Sequence, residues 1–211
     1  MQRRQALKNI GLSIGGITMS STIVGLIQSC GSKTTTWTPL FFSEDEAELV
    51  AKTLEVILPP TPDVPGANDL NLTQFLDGYI DKISTKIEKE DIKEGVGVYL
   101  SSTLDLLQKS NVGNLTSEDI DGRLAFYLIA ASTRQREWEK EKRASATDKN
   151  STPSQDAICF SFLKLLRDKG IFAFKISEHI GKNVLAYKAI PGEQKGCVNL
   201  EETTQGKAWS M

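Results

Sequence analysis

Residue types that carry chemistry in proteins are scarce in this sequence of 211 residues. It contains one histidine, His179, and three cysteines, Cys30, Cys159 and Cys197. A zinc site made of His179, Cys159 and Cys197 would need a fourth ligand, and their separations match no recognised zinc-ligand spacing. A Ser–His–Asp triad would need His179 as its base, yet the chain between Cys30 and His179 has no G-x-S-x-G sequence. The sequence therefore indicates neither a zinc site nor a nucleophilic active site.

Cofactor-binding patterns are missing as well. Haem ligation normally needs histidine, often with a second histidine, methionine or cysteine, and covalent haem needs a C-x-x-C-H sequence, which does not occur. Iron–sulfur clusters usually need four cysteines. The glycines of Gly95-Val96-Gly97 are too few for a dinucleotide-binding G-x-G-x-x-G sequence. We therefore predict no cofactor, no metal and no catalytic residue, and we expect a non-enzymatic role.

The first thirty residues have the order of an export signal. Arg3, Arg4 and Lys8 precede an uncharged run of small and apolar residues, 10–27. Its glycines and hydroxyl side chains make the run only modestly hydrophobic, which favours a signal over a membrane-spanning helix. The arginine pair resembles a twin-arginine signal, although Ala6 replaces the expected aromatic residue, so the general secretory route stays open.

The signal ends in a candidate lipid-attachment cysteine. Residues 26–30 (LIQSC) resemble a bacterial lipobox, with an aliphatic residue three positions before Cys30 and a small one directly before it. We predict a signal peptide over residues 1–29, lipidation of Cys30 and a polar tether over residues 30–42. A cleaved soluble form and an uncleaved anchor are the alternatives.

Charge and cysteine content narrow the class of protein further. The chain has 25 basic and 27 acidic residues, a formal charge of −2, and cleavage before Cys30 removes three basic residues, leaving 22 against 27, or −5. Without a basic excess we expect no nucleic-acid partner. In an oxidising compartment Cys159 and Cys197 can form a disulfide, and two separate buried thiols are the alternative.

Helical periodicity predicts a mainly α fold. Ser43 and Glu46 have the spacing of a capping box, apolar residues then recur at helical intervals, and Pro59-Pro60 ends the helix. Further helices are predicted over residues 73–88, 96–109, 116–143 and 156–169, with Gly170 as a C-terminal cap and a short helical turn over 174–180. The class is a single helical domain of about five helices, residues 43–211, with a long irregular C-terminal tail.

The sequence around Trp138 allows two interpretations. Trp138 lies within a run of alternating charge, residues 134–143 (RQREWEKEKR), which is typical of a solvated helix face. Trp138 can pack in the core, or it can anchor a partner, because tryptophan is enriched at interfaces.

The C-terminal region carries a family resemblance. Residues 172–181 (FAFKISEHIG) are followed by 184–187 (VLAY), 190–197 (IPGEQKGC) and 206–209 (GKAW). Together with ILPPT at 57–61, these segments resemble the gluconate 2-dehydrogenase subunit 3 family.

The resemblance implies an accessory role. In this family the small subunit accompanies a flavin-dependent dehydrogenase large subunit of the glucose–methanol–choline type, often with a multi-haem cytochrome c subunit. The small subunit carries no cofactor and supports maturation, export or stability of the catalytic subunit. We therefore expect a periplasmic or cell-envelope location with a lipid anchor in the membrane. A free-standing envelope lipoprotein that binds a ligand or another envelope protein is the alternative.

The tail is the part of the chain that we expect to contact the partner. Pro191, Gly192 and Gly196 favour irregular backbone, which is costly to order unless it packs on something. Tyr187 and Trp209 supply aromatic side chains on either side of this stretch. We predict partner contacts at these five positions, and the alternative is a tail that wraps around the protein's own helices.

Overall fold

The computed structural model describes residues 37–148, 151–190, 192–193 and 196–210. Within them the backbone is helical, apart from turns, loops and one isolated β-bridge, which confirms the mainly α prediction. The predicted export arginines Arg3 and Arg4, the lipidation site Cys30 and the tail residue Pro191 lie outside the described residues.

The described chain forms a helical domain in which one helix contacts most of the others. The α-helices are α1 (Glu44–Ile57), α2 (Leu72–Ile83), α3 (Lys86–Leu107), α4 (Ser117–Leu128), α5 (Ser132–Thr147), α6 (Gln155–Ile176) and α7 (Leu200–Thr204). A 3₁₀ turn, Val112–Asn114, precedes α4, and a π-helical turn, Ile180–Val184, follows α6. Helix α6 packs against α1 to α5, so its apolar residues form the centre of the core.

Capping boxes decide where three of the helices begin. The Ser43 side chain accepts the Glu46 N–H while Glu46 accepts the Ser43 N–H, as the sequence predicts for α1. Thr85 with Glu88 and Thr116 with Asp119 form the same reciprocal pair at the starts of α3 and α4. Each box satisfies two backbone donors that the helix itself leaves unbonded.

All of the predicted helices after α1 have different boundaries in the structure. The helix predicted over 96–109 begins ten residues earlier, at Lys86, because the Thr85 capping box starts it there. The helix predicted over residues 73–88 ends at Ile83, because the Thr85 capping box starts α3 only two residues later. The helix predicted over 116–143 is two helices, since the extended backbone of Ala131 separates α4 from α5. The amide of Gln135 on α5 donates to the carbonyls of Tyr127 and Leu128, which closes the end of α4.

Gly170 lies inside a helix rather than at its end. Helix α6 continues to Ile176, and Gly170 is buried against α1. A Cβ at this position would come within 2.6 Å of Leu54 Cδ2, so the glycine permits close approach of the two helices. The prediction of a C-terminal cap at Gly170 is therefore wrong, and packing accounts for the residue.

Trp138 belongs to the core. It is buried, and its ring packs against Phe126, Tyr127 and Phe160, with centroid distances of 5.4 to 6.1 Å. The structure therefore confirms that Trp138 packs in the core and does not present its ring to a partner. The charged residues around Trp138 line the outward side of α5.

The folded domain begins at Trp37, so the last residues predicted as tether belong to it. Phe42 is buried in the core, and the backbone N–H groups of Leu40, Phe41 and Phe42 donate to the carboxylate of Asp77 at 2.7 to 3.0 Å. Asp77 is itself buried on α2, where three N–H donors compensate its charge. No helix in the described part of the chain has the length and apolar character to cross a membrane.

Candidate functional site

The C-terminal tail is held in place at one point by backbone pairing. The N–H of Ala186 donates to the carbonyl of Ala208 at 2.8 Å, and the N–H of Ser210 donates to the carbonyl of Ala186 at 2.9 Å. These bonds form the parallel bridge between Ala186 and Trp209. Gly181 is buried beside Ser210, and a Cβ there would lie 3.2 Å from Ser210 Oγ. The end of the described chain thus returns to the π-helical turn after α6.

A helix cap and a glycine conformation determine the backbone between Ala186 and Ala208. Asn199 caps the short helix α7 by accepting the N–H groups of Glu201 and Glu202. Gly192 has φ +77°, a conformation that side-chain-bearing residues rarely adopt, so glycine is needed there. Gly196 is exposed and a Cβ would meet no atom within 4 Å, so no close approach requires a glycine at that position.

Most large apolar side chains of the tail lie in solvent. Tyr187 is 51% exposed and Trp209 is 50% exposed, and the bridge holds their two segments side by side. We define the tail surface by its exposed apolar residues, which are Tyr187, Ile190, Val198, Leu200 and Trp209. Apart from Gly181 and Thr204, the described residues from 181 to 210 are not buried. A tail that wraps tightly around the protein's own helices is therefore not what the structure has.

The candidate metal and disulfide residues are not brought together. Cys159 is a buried thiol on α6 and Cys197 is an exposed thiol in the tail, so the two are free rather than bonded. His179 is exposed, and its Nδ1 lies 3.2 Å from the Asn183 amide nitrogen. Within the described residues no group of three or more His, Cys, Asp or Glu side chains could hold a metal ion. Burial raises the pKa of the Cys159 thiol, which keeps it in the unreactive protonated form.

A cleft that the sequence does not indicate lies where α4 and the start of α6 meet the end of α3. Its volume is about 770 Å³. Its lining includes Ser102, Arg123, Tyr127 and Asp156, together with Leu106, Gly122 and Phe126. Because α3, α4 and α6 each supply part of the lining, no local sequence pattern marks the cleft.

A buried arginine organises the floor of this cleft. Arg123 is 7% exposed; its Nη2 donates to Ser102 Oγ at 3.0 Å and to the Tyr127 hydroxyl at 3.2 Å. Its Nε donates to Thr103 Oγ1 at 3.3 Å. The Tyr127 hydroxyl in turn donates to Asp156 Oδ1 at 3.0 Å, so it links the guanidinium to a carboxylate on α6.

The chemistry of this network is that of a structural connector. Burial raises the pKa of Tyr127 well above its ordinary value, so the phenol stays protonated and continues to donate to Asp156. The guanidinium also lies over the Tyr127 ring, 5.1 Å from its centroid. Each hydrogen bond joins two of the helices α3, α4 and α6, or two turns of α4. The network therefore fixes the packing of three helices.

Comparison with known proteins decides the family. The family model of gluconate 2-dehydrogenase subunit 3 matches residues 44–192, well over half of the chain. The chain belongs to this family. No curated protein and no solved structure matches it.

The family match includes much of the region from which the resemblance was first drawn. It begins at the first residue of α1 and includes Tyr187 and Gly192, whereas Gly196 and Trp209 lie beyond its end. The family description names a subunit of gluconate 2-dehydrogenase. Membership is therefore consistent with an accessory subunit of a dehydrogenase complex.

Proposed function

We propose that the protein is a non-catalytic accessory subunit of a flavin-dependent sugar or polyol dehydrogenase of the glucose–methanol–choline type. It supports maturation, export or stability of the catalytic subunit, and a cytochrome c subunit completes the complex. Family membership supports the association with a dehydrogenase. The residue inventory supports the non-catalytic role, because the single histidine, His179, leaves few combinations for acid–base or haem chemistry.

The observation that carries this proposal is the exposure of the tail surface. Solvent-exposed apolar side chains that cluster on one segment mark sites of protein association. Tyrosine and tryptophan are enriched among the residues that dominate binding energy, and Tyr187 and Trp209 lie at the ends of two paired segments. We therefore assign the tail surface as the contact with the catalytic subunit.

The proposed location is the cell envelope. Arg3 and Arg4 begin the export signal, and Cys30 is the proposed site of lipid attachment. If the twin-arginine route is used, the protein is exported folded, and its signal can serve a partner that already contains its flavin. Mass spectrometry of the mature N-terminus tests this part, and an unmodified Cys30 would contradict the lipid anchor while leaving the subunit role intact.

The Arg123 cleft favours a second candidate function, a free-standing envelope lipoprotein that binds a ligand. Its volume is in the range of small-molecule sites, and Arg123 Nη1 has no hydrogen-bond partner among the described residues. This candidate predicts a chain that is purified without a flavoprotein.

Affinity purification from the native envelope separates the two candidates. The full-length chain is tagged in its own host, the envelope is extracted in mild detergent, and the bound proteins are identified. We expect a flavin-containing oxidoreductase in an amount equal to that of the tagged chain. Its reproducible absence would reject the accessory-subunit proposal.

Variants of the tail surface test the assigned contact. Replacing Tyr187 and Trp209 together by alanine should lower the recovery of the flavoprotein at least about tenfold, which corresponds to about 1.4 kcal/mol. The matched control is Ile129→Ala, because Ile129 is 80% exposed at the end of α4 and not part of the tail surface. Equal recovery with both variants would place the contact elsewhere.

A further inference from the structure

Two isoleucines protrude from the corner between α2 and α3. Ile83, the last residue of α2, is 64% exposed, and Ile87, in the first turn of α3, is 74% exposed. Lys82 and Lys86 precede them, with side chains that are 70% and 90% exposed. Two exposed aliphatic side chains alone are common on protein surfaces, so their meaning depends on whether they belong to a larger apolar patch.

The apolar surface extends along α2 and onto α6. Phe75, Tyr79 and Ile83 are spaced four residues apart and share one face of α2, with the first two rings 6.1 Å apart. The Lys169 ammonium of α6 lies 5.0 Å from the centre of the Tyr79 ring. The next two turns of α6 on that side carry the exposed side chains of Phe172 and Ile176. We define the corner patch as Phe75, Tyr79, Ile83, Ile87, Phe172 and Ile176.

The chain enters the domain at α2, the helix that carries half of this patch. Asp77 on α2 binds the N–H groups of Leu40, Phe41 and Phe42, so the N-terminal end of the domain is fixed to the helix that carries half of the patch. Leu40 is also largely exposed there. Any restraint on the chain before Leu40 therefore also restrains α2.

The length of that segment limits how far α2 can be from a membrane. Only seven residue steps separate Cys30 from Trp37. A fully extended chain of this length spans at most about 25 Å. A lipid attached to Cys30 therefore keeps Trp37, where the domain begins, within about 25 Å of the bilayer surface and the corner patch within reach of it.

We propose that the corner patch rests in the interfacial region of the phospholipid bilayer, with Ile83 and Ile87 inserted among the headgroups. The proposal rests on the lipidation of Cys30 given under the proposed function, but not on the identity of the dehydrogenase. Apolar side chains that insert to headgroup depth add to the membrane binding that the lipid on Cys30 gives. The corner patch also sets which side of the domain faces the bilayer.

The charges around the corner are compatible with this occupant. Lys82 and Lys89 share Asp81 at 2.6 and 3.7 Å, and Lys86 pairs with Glu90 at 3.8 Å. Residues 81–90 hold three basic and three acidic side chains, so the corner has little net charge. The ammonium groups of Lys82 and Lys86 are exposed and can turn to lipid phosphates while their methylene groups stay in apolar surroundings. Insertion therefore depends mainly on the aliphatic side chains and only weakly on salt.

Site-specific fluorescence in the lipidated full-length protein tests the proposal. Cys197, the exposed thiol, is first replaced by serine, and Cys159 stays because it is buried. A single cysteine is then introduced by Ile83→Cys, by Ile87→Cys or, as the matched control, by Ile129→Cys. Each variant is labelled with an environment-sensitive nitrobenzoxadiazole dye and reconstituted into phosphatidylcholine–phosphatidylglycerol vesicles that contain a spin-labelled lipid.

The labels at positions 83 and 87 should shift their emission to the blue and be quenched at least twofold more than the label at position 129. Equal quenching at all three positions, or none at 83 and 87, would overturn the proposal. Shielding of 83 and 87 only after addition of the co-purifying flavoprotein would overturn it in favour of a protein occupant. An unmodified Cys30 in the mass spectrum would also overturn it, whereas failure of the subunit role would show separately as absence of the flavoprotein in the affinity purification.

Discussion

Two buried tyrosines show how differently one residue type can act in this core. The Tyr127 hydroxyl links Arg123 to Asp156, whereas the Tyr99 hydroxyl is buried near Thr53 but makes no hydrogen bond of normal geometry with any described residue. The Thr53 hydroxyl donates instead to the Leu49 carbonyl. Burial raises the pKa of Tyr99 to about 12, so this hydroxyl also stays protonated. The Tyr127 hydroxyl therefore stabilises the fold through hydrogen bonds between helices. Burial of the Tyr99 hydroxyl mainly costs free energy.

This contrast predicts opposite effects of the same substitution. Tyr127→Phe leaves Asp156 without its buried donor and should lower the free energy of unfolding by about 1–3 kcal/mol. Tyr99→Phe removes a buried hydroxyl that has no partner and should be neutral or raise the free energy of unfolding by up to about 1 kcal/mol. Urea unfolding of both variants measures the difference, and equal destabilisation would contradict the role given to the Arg123 network.

At the scale of the helix, the capping carboxylates link stability to pH. The Thr116 N–H, which donates to Asp119 at 2.9 Å, is the main cause that lowers the pKa of this carboxyl, and Lys109 adds a smaller attraction at 3.6 Å. A carboxyl whose pKa is lower in the folded state stabilises the fold above the pKa of the unfolded chain, about 4 for aspartate. That stabilisation disappears as the pH falls through the folded-state pKa.

Asp119→Asn tests this linkage. At pH 6 to 7 the variant should unfold at a lower urea concentration than the unsubstituted protein, and the difference should shrink as the pH falls below about 4. Asp121→Asn on the same helix is the control, because Asp121 is exposed and makes no hydrogen bond or ion pair with any described residue. A difference for Asp119→Asn that stays constant down to pH 3 would show that its charge is not involved.

Two glycines of α3 allow a matched test of helix packing. A Cβ at Gly95 would lie 2.7 Å from the Cβ of Phe162 on α6, whereas a Cβ at Gly97 would meet no atom within 4 Å. Gly95→Ala should therefore lower the free energy of unfolding by about 1–3 kcal/mol despite its better helix propensity. Gly97→Ala should raise it by about 0.5–1 kcal/mol. Thermal or urea unfolding measures both changes. Stabilisation by both variants would mean that α3 and α6 are not in close contact at Gly95.

The helix boundaries show which parts of the fold a sequence can predict. Helix α1 is bounded by local signals, the Ser43 capping box and Pro59-Pro60, and its predicted extent is confirmed. The break before α3 also has a local signal at Thr85 and Glu88, but the apolar spacing continues through it and by itself predicts one helix. The packing role of Gly170 has no local sequence signal, because the side chain that it packs against, Leu54, lies more than a hundred residues earlier in the chain.

At the scale of the whole molecule, the sequence identifies candidate contact residues in the tail, but it does not show which of them share a surface. Tyr187 and Trp209 were expected to contact a partner, and the structure places both on the tail surface through the bridge at Ala186. The Arg123 cleft and the corner patch were not predicted, since each joins residues from helices that are distant in sequence. Exposure is a property of tertiary packing, so periodicity alone does not distinguish an apolar residue in the core from Ile83.

Two surfaces with separate occupants give the molecule a consistent role in the proposed complex. We assign the tail surface to the catalytic subunit and the corner patch to the lipid bilayer, so the proposed non-catalytic subunit would hold a flavoprotein at the membrane. The two assignments are independent. Loss of lipid contact would leave flavoprotein binding unchanged, and alanine at Tyr187 and Trp209 would leave membrane contact unchanged.

The location of flavin and activity within the purified complex tests the central claim most directly. The complex is isolated through a tag on this chain, its subunits are separated under native conditions, and flavin and dehydrogenase activity are measured in each fraction. The account predicts one flavoprotein for each copy of this chain, with the flavin and the activity in the flavoprotein fraction. Flavin or activity that stays with this chain, or a chain that is isolated without any flavoprotein, would contradict it.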